Sequence, residues 1–538
     1  RATAPVCHPA RRMTDPGGHT SHATSPDGPE PPARPLPTTD SRGTRRRLLL
    51  AAACVAAVVA VVAAFVVVTG DRDGDERATS GTTSRDEAAS ATTTEVDEAG
   101  EPPVAGATGV GDPYFPDTGN GGYDVARYHL DLTWRPDAGR MDGVATITAT
   151  ATETLGSFAL DLVGAEVAAV TVDGAAATES RQGERDLVVT PASPIADGAS
   201  FTTTVTYSAP PRTIEGADPV DPGWVADSGE VYAIFEPHGA ATLFPANDHP
   251  SDKATYRLRV TVPDGLEVAA NGRLAETVPG DGVSTWVYDA PDPMATYLVQ
   301  VVIADLVFEE STGPGGLPLR HAFDADVAGS LAGSMDRTAE MIGVFDDAFG
   351  PYPFVAYGAV VVDEFLGFAL ETQTLSLFGT DAAGGETIVA HELAHQWYGD
   401  AVSAATWQDI WLNEGPATYA EWLWAEHNGD ATLDEIARSV AATPNLLDLP
   451  PADPGAASLF DVTVYERGAL TLHVLRETIG DDAFFTLLRT WVERYGGGSA
   501  TTADFEALAE QVSGAELTPL FDAWLRAPDM PDLAGWVP

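Results

Sequence analysis

Cysteine and lysine are nearly absent from this chain of 538 residues. The two cysteines, Cys7 and Cys54, both precede residue 55, so the rest of the chain has no cysteine with which to build a disulfide framework. Lys253 is the single lysine, and 29 basic residues stand against 80 acidic ones, a net charge of −51. Because phosphate binding needs a basic surface, this composition excludes nucleic acid as a partner.

The chain also lacks an initial methionine. Residues 1–47 are rich in Pro, Gly, Ser and Thr, which is typical of a disordered tail. Residues 48–68 are an uninterrupted apolar run, long enough at ~1.5 Å per residue to span a membrane core of ~30 Å. Arginines before the run and acidic residues after it predict a single-pass anchor with a cytoplasmic tail and an extracellular remainder. Secretion after cleavage of a signal peptide is the alternative.

Three further segments follow the apolar run. Residues 69–112 have no apolar periodicity and predict a flexible acidic linker. From Tyr123 onward, short runs with a period of two and intervening turn residues predict an all-β domain, which we place at residues 113–317. In residues 318–538 helical patterns dominate. The segments predicted to be helical are 325–349, 432–442, 469–491 and 503–525, and residues 357–362 are predicted to form a buried strand.

Two histidines four residues apart, His391 and His395, would project from the same face of a helix. Two such imidazoles can hold one zinc ion, with Glu392 between them as the general base. After eighteen intervening residues, Glu414 would complete a His, His, Glu ligand set and leave the fourth tetrahedral position for water. Two solvated histidines on an amphipathic helix are the alternative, but the added Glu favours a catalytic site with one Zn²⁺ per chain.

The segments HELAHQWYGD at residues 391–400 and WQDIWLNEGPATYAEW at residues 407–422 resemble the zinc aminopeptidases (gluzincins) related to aminopeptidase N and leukotriene hydrolase, in a short bacterial-type form. The resemblance extends from residue 125 to residue 538. It implies an α+β multidomain fold: an N-terminal all-β saddle-like domain, then a thermolysin-like α/β zinc peptidase domain that is mostly helical at its C-terminal end.

The same resemblance assigns two more site residues. Tyr465, in the segment VYERGAL, is similar to the tyrosine that hydrogen-bonds the oxyanion, and Glu371, in FALET, is similar to the glutamate that binds the substrate's amino group. The residues that differ from the family pattern around these positions are Phe368, Leu370, Thr372 and Arg467.

The sequence also gives expectations for five residues outside this set. Ile234 stands where the family usually has a substrate-binding Gln, and Glu236 is expected to be exposed or paired. The candidates to orient the ligand histidines are Asp400, Asp409 and Asn413.

The resemblance implies a zinc-dependent aminopeptidase that removes N-terminal residues from peptides by metal-activated water attack. Its expected partners are peptides with a free N-terminus, and a monomer is expected. Two alternatives stay open. One is the same zinc site with endopeptidase or epoxide-hydrolase-like specificity, which Thr372 and Ile234 allow. The other is a catalytically silent protein that binds at the cell surface through its β domain.

Overall fold

A computed structural model describes residues 102–214, 221–331, 333–443 and 447–535 of the chain. The predicted tail, the predicted anchor at residues 48–68 and residues 69–101 of the predicted linker lie outside the described residues. Within the described ranges, no helix has the length and apolar character needed to cross a membrane.

Alternation of buried and exposed side chains produces the strands of the β domain, as in the 13-residue strand Tyr123–Arg135. Its strands in chain order are Val104–Ala105 (β1), Tyr123–Arg135 (β2), Arg140–Ala151 (β3), Leu155–Asp161 (β4), Glu166–Val172 (β5), Ala175–Ala176 (β6), Thr178–Gln182 (β7), Asp186–Thr190 (β8), Ser200–Ala209 (β9), Arg212–Thr213 (β10), Gly223–Asp227 (β11), Glu230–Ile234 (β12), Lys253–Pro263 (β13), Glu267–Ala270 (β14), Arg273–Pro279 (β15), Val283–Ala295 (β16) and Val301–Ala304 (β17).

These strands form three sheets. An eight-stranded sheet has the order β15-β16-β13-β2-β3-β9-β5-β6 and is antiparallel except where β13 runs parallel to β2. A four-stranded sheet has the order β1-β4-β8-β7, and a five-stranded one the order β10-β11-β12-β17-β14. The all-β character predicted for this part of the chain is confirmed.

The second domain contains a smaller sheet and most of the helices. Its strands are Leu306–Thr312 (β18), Pro318–Asp324 (β19), Ala359–Val361 (β20), Ala369–Leu370 (β21), Ser376–Phe378 (β22), Val402–Ala404 (β23) and Gly498–Ala500 (β24). Its α-helices are Ala325–Leu331 (α1), Thr338–Phe349 (α2), Glu386–Ala394 (α3), Trp411–Asn428 (α4), Leu433–Ala441 (α5), Val462–Ile479 (α6), Asp481–Tyr495 (α7), Thr502–Ser513 (α8) and Thr518–Phe521 (α9). The α+β order of the two domains is as predicted.

Both predicted borders of the β domain differ from the observed elements. The border at residue 317 falls inside a hairpin, because β18 pairs with β19 in a sheet of order β18-β19-β20-β22-β21. At the other end, β1 lies within the predicted linker and pairs with β4. Asp112, also in that linker, is buried and accepts a hydrogen bond from the backbone N–H of Trp407 at 2.9 Å. The pairing of β1 with β4 and the contact of Asp112 with Trp407 have no local sequence signal, since the partners lie far apart in the chain.

Glycines divide three segments that were predicted as single helices. The break between α1 and α2 contains Gly333, the break between α6 and α7 is Gly480, and the break between α8 and α9 contains Gly514, all with positive φ. A left-handed backbone cannot continue an α-helix, so the predicted helices at 325–349, 469–491 and 503–525 are each two shorter ones.

Threonines begin two of these helices. Thr432 caps α5 in a reciprocal capping box with Glu435, so the predicted helix at 432–442 is nearly correct. The cap of α8 is Thr501, whose side chain accepts from Asp504 N at 3.2 Å. The hydroxyl of the next residue, Thr502, donates to Asp409 at 2.8 Å.

Two basic side chains, one partly buried and one fully buried, link elements around the predicted zinc motif. The amino group of Lys253, at the start of β13, donates to the backbone carbonyls of Asp400 and Ala401 at 2.6 and 3.1 Å, and burial lowers its pKa to about 7. Arg467 is fully buried on α6, and its guanidinium donates to the backbone carbonyl of Trp524, near the C-terminal end of the chain, and to that of Leu447. The five N–H donors of a guanidinium serve more carbonyls than the three of a lysine amino group can, which explains the Arg at this position.

Candidate active site

The predicted ligands meet where two helices pack together. His391 lies on α3, His395 caps the C-terminal end of that helix, and Glu414 lies in the first turn of α4. All three side chains are buried. Glu414 Oε2 is 3.3 Å from His391 Nε2 and 3.4 Å from His395 Nε2. Ligands at ~2.0 Å from a tetrahedral zinc ion stand ~3.3 Å apart, so the donor set has the spacing that Zn²⁺ requires.

The other nitrogen of each histidine is held by a hydrogen bond that turns Nε2 toward Glu414. His391 Nδ1 is 2.7 Å from Glu421 Oε1, and His395 Nδ1 is 3.0 Å from the carbonyl oxygen of Tyr398. A donor role for each Nδ1–H leaves each Nε2 with a lone pair for a metal. Although burial alone would raise it, contact with the two histidines lowers the pKa of Glu414, which is therefore ionised.

None of the three residues proposed to orient the histidines does so among the described residues. Asp400 accepts from Gln396 at 2.8 Å, Asp409 accepts from Thr502, and Asn413 contacts the Tyr297 hydroxyl at 3.4 Å. A signal for Glu421 was present in the sequence, because it follows Glu414 by seven residues and so lies on the same face of α4 two turns later.

Replacing Glu421 with alanine is expected to weaken zinc retention or activity by about 10–100-fold, because it removes the partner that orients His391. Competition with a chromogenic chelator would measure the zinc affinity. Glu421→Gln is the matched variant: its amide oxygen still accepts from Nδ1–H, so the loss should be smaller. Equal zinc affinity in all three proteins would contradict an orienting role.

Glu392 follows His391 directly on α3 and is buried. Burial raises the pKa of this carboxyl to about 8, an effect that the nearby histidines oppose. A carboxyl group with a pKa near neutrality can both accept and return a proton.

Tyr465, on α6, stands beside the ligand set. Its ring lies nearly parallel to that of His391, with 5.9 Å between the ring centroids. Burial and the negative charges of the surrounding carboxylates raise the pKa of Tyr465 well above its usual value. The phenol therefore stays protonated and is available as a hydrogen-bond donor.

Glu371 follows β21, an edge strand of its sheet that is only two residues long. Its side chain is buried, and Oε1 has no hydrogen-bond partner in the described part of the chain. Gln396, one residue after His395, donates from Nε2 to the backbone carbonyl of Glu371 at 3.0 Å. The zinc-motif helix thus positions the segment that carries Glu371.

A second carboxylate that the sequence left unassigned lies near Glu371. Glu236, two residues after β12, also has a buried Oε1 without a partner among the described residues. Burial, and next the negative charges of Glu371 and Glu414, raise the pKa of Glu236. The prediction that Glu236 is exposed or paired is therefore wrong, because its carboxyl group faces the same acidic interior as Glu371.

Two of the departures from the family pattern, Thr372 and Ile234, offer no free polar group among the described residues. The Thr372 hydroxyl donates to the carbonyl of Leu375, and Ile234 packs in an apolar cluster with residues such as Leu370.

The structure thus brings all six predicted site residues together. A model of the peptidase M1 N-terminal domain matches residues 125–298, and a model of the peptidase family M1 domain matches residues 333–524. The chain belongs to peptidase family M1.

Related M1 proteins include aminopeptidase N of Streptomyces lividans, 28% identical over 447 residues, which are 75% of this chain and 50% of the relative. Aminopeptidase M1-D of Oryza sativa subsp. japonica is 27% identical over 326 residues, 55% of this chain and 37% of the relative. This chain thus spans between a third and a half of the curated relatives it matches.

Solved structures of M1 proteins match over more of their length. The M1 zinc metallopeptidase from Deinococcus radiodurans superposes with a TM-score of 0.74 at 34% identity, over 79% of this chain and 98% of that one. A mutant of that enzyme bound to a Tyr-Ser-Ala substrate superposes with a TM-score of 0.75 at 33% identity, again over 79% and 98% of the two chains.

Proposed function

We propose that this protein is a zinc-dependent aminopeptidase with one catalytic Zn²⁺ per chain, held by His391, His395 and Glu414. One observation carries the proposal: Glu371 and Glu236 each present a buried carboxylate oxygen without a partner among the described residues, close to the ligand set. A cationic amine is the group that such a pair of carboxylates binds. The names of the curated relatives, which are aminopeptidases, support the same activity.

Each of the site residues has a separate role in the proposed reaction. When bound, the zinc ion supplies a Lewis acid for the scissile carbonyl and lowers the pKa of water. Glu371 and Glu236 bind the ammonium group of the substrate and fix how far the peptide enters. The carboxylate of Glu392 takes a proton from the attacking water and returns it to the nitrogen of the leaving amine. The Tyr465 hydroxyl donates a hydrogen bond to the oxygen that becomes negative.

Hydrolysis of aminoacyl chromogenic amides by the purified chain tests the proposal. We expect release of the chromophore, its loss after treatment with a chelator, and its recovery on addition of zinc. An endopeptidase would instead prefer internally placed bonds in blocked peptides. A surface-binding protein without catalytic function would bind zinc and cleave neither class of substrate.

Tyr465→Phe is expected to lower kcat by about 10²–10³-fold with little change in KM, because the lost hydrogen bond forms to the oxyanion and not to the ground-state peptide. Steady-state kinetics with one chromogenic amide would measure both constants. Phe retains the ring that stacks near His391, so the zinc content should stay the same. A rise in KM at constant kcat would assign Tyr465 to ground-state binding.

The proposed setting is a cell membrane, with residues 48–68 as a single-pass anchor and the catalytic domain outside the cell. The apolar run and its flanking charges support this setting. Proteolysis of intact cells should then release active enzyme, and alkaline washing of membranes should not. A secreted protein would be found in the medium without residues 48–68.

We also propose that the enzyme acts as a monomer on peptides with a free N-terminus. Sedimentation of the active protein would test its oligomeric state.

A further inference from the structure

A second group of potential metal ligands lies away from the catalytic site. His473 and Glu477 are four residues apart on α6, so their side chains share one face of that helix. Asp434 approaches them from the first turn of α5. One donor atom from each of these three side chains lies within 4.8 Å of the other two. Along α6, His473 follows Tyr465 by eight residues, or ~12 Å at ~1.5 Å per residue.

His473 is the unusual member of this group. Only 2% of its side chain is exposed, and Nδ1 makes no hydrogen bond within the described ranges. Nε2 lies 3.2 Å from Asp434 Oδ1. Buried histidines ordinarily have both nitrogens satisfied, since an unpaired polar atom in the interior is costly.

The charge and chemistry of the group favour a divalent cation. The carboxylates of Asp434 and Glu477 are exposed to water, so an ion can reach them and keep water as a further ligand. Burial lowers the pKa of His473, which leaves the imidazole neutral and able to coordinate. The guanidinium of Arg438 lies 3.8 Å from Asp434 Oδ2, and its side chain is more than half exposed. It therefore competes only weakly with a metal ion for the Asp434 carboxylate.

We propose that Asp434, His473 and Glu477 form a second metal site of the zinc class, distinct from the catalytic one. A nitrogen ligand with two carboxylates suits zinc and similar transition metals better than Ca²⁺ or Mg²⁺, which take oxygen ligands. An ion bound here links the first turn of α5 to α6, the helix that carries Tyr465 and Arg467. Its role is to hold these helices together, and it takes no part in the hydrolytic reaction.

The site is tested by stripping the metal from the full chain and then titrating zinc back into it, with calorimetry to measure how many equivalents bind. We expect two equivalents for the unaltered protein, one for His473→Ala and one for Glu477→Gln. Because Glu477 is exposed, its variant should fold even if the His473 variant does not. Both variants should hydrolyse chromogenic amides at the unaltered rate when one equivalent of zinc is supplied.

Variants that lack a catalytic zinc ligand distinguish binding at the second site from binding at the catalytic site. His395→Ala should bind one equivalent, and His395→Ala combined with Glu477→Gln should bind none. His427→Ala is the matched control and should keep two equivalents, since among the described residues His427 pairs with one carboxylate, that of Glu340 at 3.0 Å. A single equivalent in the unaltered protein, or two in Glu477→Gln, would overturn the proposal.

Discussion

Glu392→Gln is expected to lower kcat by about 10²–10⁴-fold, the range that a positioned general base contributes. Glutamine has nearly the same shape as glutamate but cannot take a proton from the attacking water. Because Glu392 is not one of the three ligands, the variant should hold as much zinc as the unaltered protein. Chromogenic amide hydrolysis and metal analysis of the same preparation would measure both quantities.

Glu386→Gln provides the matched control for this prediction. Glu386 lies in the first turn of the same helix, with 45% of its side chain exposed in a surface pair with Arg337. Surface pairs of this kind contribute about 0–1 kcal/mol, so the control should keep nearly full activity. If Glu392→Gln keeps full activity with its zinc in place, Glu392 is not the base.

The residues predicted from sequence are those whose neighbours in space are fixed by local spacing. The relative positions of His391, Glu392 and His395 follow from the geometry of a single helix. Glu414 lies a fixed number of residues later in the same zinc-binding motif. Tyr465 and Glu371 lie far away along the chain and were assigned from a resemblance to a known family. In the structure they adjoin the ligands because α6 packs on α4, and β21 lies next to α3.

The parts that could not be predicted depend on contacts between distant segments. The local sequence predicts an exposed or paired Glu236, and its environment is acidic because the fold brings it close to Glu371 and Glu414. The predicted border at residue 317 falls inside the β18–β19 hairpin for a similar reason, since this hairpin joins the second domain through the pairing of β19 with the more distant β20. A period of two reports a half-buried strand and carries no information on which sheet the strand joins.

The second large effect is expected when the carboxylates proposed to bind the substrate's amino group are replaced. Glu371→Gln and Glu236→Gln should each lower kcat/KM for free-amine substrates. Loss of one partner from a buried charge pair costs about 2–5 kcal/mol. At about 1.4 kcal/mol for each tenfold change, that is roughly 30-fold to a few thousand-fold. Glu310→Gln, at a side chain that is 72% exposed, should change nothing and serves as the control.

N-acetylated versions of the same substrates show whether the carboxylates act on the amine. Acetylation removes the positive charge, so the unaltered enzyme should lose about as much activity with a blocked substrate as the variants lose with a free one. The two effects should not add, because both remove the same interaction. Blocked substrates that are cleaved as fast as free ones would instead assign this site to internal peptide bonds. Glu371 and Glu236 would then be two buried acids that share a proton, with no part in substrate recognition.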